Sequence, residues 1–189
     1  MVTVPELWLP IVVAAIAVFL VSSLIHMLLP YHRNDVQKLA VEDDVLAAIR
    51  RGPTEPGEYA VPHATMATMR EAAFVEKRSA GPVALLTVTR GGLPTMGREL
   101  TLWFVYALVV SLFAAYVAGR AIGEGAVDYG EVFRFAATVA FAGYGLGIWQ
   151  QTIWWGRPWA TSAKSTFDAL LYALVTGGVF GWLWPATTI

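Results

Sequence analysis

Two histidines and an aspartate fall close together in IHMLLPYHRND, residues 25–35, just where an apolar run breaks at a proline. Imidazole and carboxylate are the ligands that zinc and iron take, so His26 and His32 raise a metal or haem site. His63 is the only other histidine, and a three-histidine site assembled in space from His26, His32 and His63 is one reading. The spacing opposes it. Six residues turn a helix by about 240°, while two ligands on one helix face need a spacing of three or four. Pro30 also interrupts the helix between the two rings. His26 is a candidate single ligand to a haem, but no other apolar window supplies a second histidine. The plainer expectation puts His26 in the last turn of a membrane helix, beside the negative end of its dipole, with His32 and Arg33 at the headgroups.

Asp168 is the other group with chemical potential. Ser165-Thr166-Phe167-Asp168 has capping-box spacing, so Asp168 is expected at the third position of a helix that it helps to start. An acidic side chain deep in a span marks an ion pathway; one in a first turn does not. Besides it the spans carry few polar groups, among them Ser22, Ser111, Gln150 and Thr176. Glu124, Asp128 and Glu131 in the stretch 120–134 lack the spacing of a calcium loop and read as a solvated acidic segment. There is no cysteine, which removes thiolate catalysis, disulfides and thiolate metal sites together. No phosphate-binding glycine loop or nucleophile elbow occurs. The chain is therefore expected to be no enzyme, with no catalytic residue and no cofactor.

The elements that carry these residues are apolar rods. The 189 residues are 57% hydrophobic and 14% charged, too little charge for a soluble domain of this size. A spanning helix needs about 20 apolar residues. Windows 7–29, 100–119, 135–156 and 169–187 contain no Lys, Arg, Asp or Glu. The fold class follows: an all-α membrane protein, with four transmembrane helices and a small cytoplasmic segment, 30–98, between the first and second. The first window reads as a retained span, since no Lys or Arg precedes it and no small-x-small cleavage pattern ends it.

Nine basic residues lie between the first two windows and two between the last two, so one side takes eleven of the thirteen. The positive-inside rule puts that side in the cytoplasm and both termini outside. Trp8, Trp182 and Trp184 then fall at the outer boundary, and Trp103, Trp154, Trp155 and Trp159 near the inner one, as interfacial anchors. In 30–98, residues 41–53 and 68–82 read as short helices, the second opened by Thr68 and Glu71. Residues 54–65 read as turn-rich, and 83–89 as a short extended piece.

Ala169, Ala173, Gly177 and Gly181 recur every four residues, and Gly143 and Gly147 add small positions to the third span. Such seams let helices approach closely, either within the chain or against a partner. The order of HMLLPYHRND, GPVALLTV, LWFVYALVVSLFAAYVAGR and FDALLYALVTGGVFGWLWP resembles a family of bacterial four-span membrane proteins with no known activity. The resemblance implies an inner-membrane protein and carries over no functional residue. The expected function is that of a non-catalytic accessory subunit of a larger membrane complex, respiratory or photosynthetic. The alternatives are a small channel or transporter, and a haem- or metal-binding membrane protein. Lipid and other membrane subunits are the expected partners, and nucleic acid is not.

Overall fold

The computed structural model describes residues 2–52, 55–93, 95–122 and 127–185. Pro53, Thr54, Pro94, Glu124 and the end of the fourth window beyond residue 185 lie outside them. The chain forms two compact units, residues 1–36 with 95–189, and residues 37–94.

Four long rods make up the first unit. The first is a turn of 3-10 helix, Val4–Leu7, running into α1, Trp8–Leu28. The Glu6 carboxylate accepts the Thr3 backbone N–H at 2.7 Å and so ties down the start. The helix stops where Leu29 turns extended ahead of Pro30, which disfavours helical backbone in the residue before it. Three further rods belong to this unit, and their labels follow those of the second unit, whose elements come earlier in the chain.

The second unit holds α2, Glu42–Arg50, β1, Gly57–Val61, α3, Ala72–Ala80, and β2, Ala84–Val88. The strands pair antiparallel, with Gly57 opposite Val88 and Val61 opposite Ala84. The turn-rich reading of 54–65 thus gives way to a strand, because the β-branched stretch at 84–88 needs a hydrogen-bonding neighbour. Thr68 does not cap a helix forwards. Its hydroxyl accepts the Thr65 N–H at 3.0 Å, and α3 starts four residues later. Gly81, at φ 60°, ends α3 in a conformation open to glycine. No described residue of this unit is fully buried.

Back in the first unit, α4 spans Gly97–Ala121. The third rod is α5, Tyr129–Phe141, a π turn at Ala142–Leu146, and α6, Ile148–Trp155. The π turn frees the Gly143 carbonyl, and the Tyr106 hydroxyl donates to it at 2.6 Å. Gly156 closes α6 in the left-handed conformation, and α7 runs Trp159–Leu183. These four rods are long and apolar enough to cross a membrane. Their outward faces are apolar: Leu20 and Leu24 of α1 are each 56% exposed and Phe113 of α4 60%. Such faces suit lipid or another apolar surface and not water.

Helix α7 packs on α5 and α1, while α4 packs on α1 and α5. The small-residue seam is what lets α7 meet α5. A Cβ on Gly177 would come within 2.8 Å of the Ala137 Cβ and 2.9 Å of the Phe133 carbonyl; on Gly181 it would meet the Tyr129 ring at 2.6 Å. Ala169 and Ala173 are buried, Gly143 faces Val110, and Gly147 has nothing within 4 Å.

Candidate metal centre

The last turn of α1 fixes the first ligand. His26 Nδ1 lies 3.0 Å from the Ser22 carbonyl. A carbonyl only accepts, so Nδ1 carries the proton and Nε2 keeps its lone pair. Among the described residues no hydrogen-bond partner engages that Nε2. Ser22 is itself held, since the Trp103 indole N–H donates to its hydroxyl at 2.8 Å.

Pro30 then does what helix geometry alone does not. It opens a 3-10 turn, Pro30–His32, which folds the chain back on the end of α1. The His32 ring comes to rest on His26, centroids 4.8 Å apart and planes 6° from parallel. Helical spacing does not keep the rings apart, because Pro30 ends the helix between them and the turn after it brings His32 back.

His32 sits between two carboxylates. Its Nδ1 is 2.7 Å from Asp35 Oδ2 and its Nε2 is 2.8 Å from Asp168 Oδ2. Lys164 donates to Asp35 Oδ1 and to the Tyr31 carbonyl, both at 2.6 Å. The Tyr31 hydroxyl donates to Asp168 Oδ1. Lys164 and Asp168 are four apart on α7, so they share a face and grip both ends of the 31–35 segment. The hydrogen bonds from Lys164 and then His32 hold the Asp35 carboxyl below the usual carboxylate range. Burial first, and the Asp168 carboxylate second, push the Tyr31 phenol up.

One ligand atom each from His26, His32 and Asp168 lie within 4.8 Å of one another. Two ligands on a tetrahedral ion with bonds near 2.1 Å stand about 3.4 Å apart, so the widest pair must close by about 1.4 Å at most, while His32 Nε2 and Asp168 Oδ2, hydrogen-bonded at 2.8 Å, must give up the proton between them and open by about 0.6 Å. His26 is exposed, whereas Asp168 is 4% exposed and gives the site a buried floor. Each ligand has an outer partner: Ser22 for His26, Asp35 for His32, Tyr31 for Asp168. Partners of this kind set tautomer and orientation in metal sites.

Asp168 is not where capping-box spacing placed it. Helix α7 begins at Trp159, behind Pro158, and Asp168 stands in its third turn. Ser165, expected to cap, instead donates back along the helix to the Thr161 carbonyl, as Thr166 does to that of Ser162. Pro158 ahead of Trp159 was the readable start signal. Tyr31 and Asp35 carried no signal beyond proximity to the histidines, and Lys164 none at all. His63 belongs to the other unit, and the group that comes together is His26, His32 and Asp168. Of the tryptophans, Trp8, Trp154, Trp159 and Trp182 are over 60% exposed and Trp155 51%. Trp103 turns inward to Ser22, and the Trp184 indole N–H is buried with no partner among the described residues.

The chain matches no protein-family model, and no curated protein or solved structure is significantly similar to it.

Proposed function

We propose that this four-span membrane protein holds a divalent transition-metal ion between His26, His32 and Asp168. The observation that carries the reading is the pair of stacked imidazoles, each tied at Nδ1 to an acceptor, beside a buried carboxylate. Two histidines and one carboxylate suit zinc, iron(II), cobalt(II) or nickel(II), and leave coordination positions for water or a ligand. With no thiolate in the chain, copper(I) is disfavoured. The basic residues favour the cytoplasmic side of a bacterial inner membrane for this end of the bundle, with both termini outside. A second reading, an accessory subunit fixed in the bilayer by its small-residue seams and aromatic belts and docked through residues 30–98, stands beside this one; Gly177 and Gly181 use their part of the seam against α5 of the same chain.

Elemental analysis of protein purified without chelator tests the proposal. We expect close to one equivalent of a transition metal, falling below a tenth in His26→Ala, His32→Ala and Asp168→Asn. Equal metal in wild type and all three variants overturns it.

A further inference from the structure

Four oxidisable rings pack together in the first unit: Trp103 and Tyr106 of α4, Tyr144 of the π turn and Tyr172 of α7. Trp103 stands among the other three, its ring centroid 5.8 Å from Tyr106, 6.0 Å from Tyr144 and 5.8 Å from Tyr172. Tyr144 meets Tyr106 at 5.8 Å and Tyr172 at 5.6 Å, both edge to face. Phenylalanine would supply that packing equally well.

The polar atoms point beyond packing. The Tyr144 hydroxyl is buried with no partner among the described residues, a penalty that phenylalanine would avoid. A buried polar group left unpaired calls for a use, and redox chemistry is one. The π turn that carries Tyr144 is the kind of helix break that gathers at functional sites.

Two routes join the cluster to the metal-binding group. The Trp103 N–H donates to the Ser22 hydroxyl at 2.8 Å, and the Ser22 carbonyl accepts from His26 Nδ1 at 3.0 Å. Tyr172 follows Asp168 by four positions on α7, and both are buried. With no cysteine in the chain, indole and phenol are the side chains that give up one electron most readily. Indole does so without releasing a proton, so Trp103 needs no base beside it. Three phenol rings within about 6 Å favour the cation that remains.

We infer that the centre reduces a peroxide, with iron(II) as the metal and Trp103 as the second electron donor. Two histidines and one carboxylate with open positions suit iron(II). Cleaving the O–O bond of hydrogen peroxide to water takes two electrons. One comes from iron(II), which becomes iron(III). The other comes from Trp103, which becomes the indole radical cation, and two protons from water complete the two water molecules formed. Iron(II) alone supplies one electron and releases hydroxyl radical beside the lipid. The inference rests on the proposed metal centre and goes beyond it by naming the metal, its substrate class and the residue that shares the oxidation.

Iron(II) and hydrogen peroxide are the probes. Protein in phosphatidylcholine nanodiscs is loaded with iron(II) without oxygen, mixed with one equivalent of peroxide, frozen within milliseconds and read by electron paramagnetic resonance. An organic radical is expected, its signal narrowed when the protein carries ring-deuterated tryptophan. The signal per bound iron is expected to fall at least fivefold in Trp103→Phe and to persist in Trp154→Phe, a tryptophan 77% exposed. The deuterium narrowing is read on the unaltered chain, so it stands whether or not Trp103→Phe folds. Bound iron with no organic radical overturns the inference, as does a radical that deuterated tryptophan leaves unchanged or one undiminished per iron in Trp103→Phe. A wild type that binds no iron(II) overturns the metal centre as its home, and the inference with it.

Discussion

The rings of His26 and His32, six residues apart in the chain, lie parallel with 4.8 Å between their centroids. The relationship is made by Pro30, which breaks α1 after Leu28 and turns the following three residues back over its end. Replacing that proline is thus a test of the site that touches no ligand. In Pro30→Ala the helix is free to run on, and the two rings separate around its axis. Metal affinity is expected to fall at least tenfold by competition with a coloured chelator, while the protein still extracts with the membrane fraction.

Asp35 orients His32 through Nδ1 without joining the ligand group. Asp35→Asn keeps the shape and removes the charge. Changes to such outer partners weaken metal binding by about 10–100-fold, and a loss in that range is expected by the same competition assay. Unchanged affinity would show that His32 is held by packing alone.

Lys164 is 32% exposed at the side chain and Asp35 14%, so their ion pair is partly screened. Removing the cation leaves Asp35 facing only His32. Full burial would put the loss at about 3–5 kcal/mol and full exposure near 0–1 kcal/mol. Lys164→Met is expected to fall between, about 1–3 kcal/mol, read as a lower thermal midpoint in detergent.

The same pair sets a pH dependence. Asp35 ionises more readily folded than unfolded, so its contribution is present above the ordinary carboxylate pKa of about 3.9 and is lost as pH falls through the folded value. In chelator-treated protein, the stability gap between wild type and Asp35→Asn should be level above about pH 5 and close below about pH 4. Tyr31 has the opposite sign. Its raised pKa supports the fold below about pH 10, and that support is lost as pH rises further.

The seam of α7 gives a prediction apart from the metal. Gly177→Ala drives a methyl against the Phe133 carbonyl and the Ala137 Cβ, where backbone has to move. A cost of about 1–3 kcal/mol is expected. Gly147, helical at φ −68° and with nothing within 4 Å of where a methyl would stand, is the control. There alanine should be neutral, or stabilising by up to about 1 kcal/mol.

The four rods were legible because a stretch of about 20 uncharged residues has few fates other than a membrane span. The start of α7 was hidden by the same rule. Lys164 and Asp168 looked like flanks, whereas both are helical and matched to partners on the 31–35 segment. The β1–β2 pairing was half visible, since strand propensity marked 83–89 but a register between distant segments is a tertiary fact. The sequence pairs His26 with His32 as possible ligands but sets Asp168 apart as a helix-start residue. Their convergence depends on a turn at Pro30 and on a contact across 136 residues, which helical spacing does not encode.

The most direct test of the metal centre is X-ray absorption at the edge of whichever metal copurifies, on wild-type protein in its membrane lipid. The expected first shell holds two imidazole nitrogens and carboxylate oxygen near 2.0–2.2 Å, and the edge signal per protein is expected to fall with the metal in His26→Ala. A first shell without imidazole scattering, or an edge undiminished by that substitution, would contradict the metal centre.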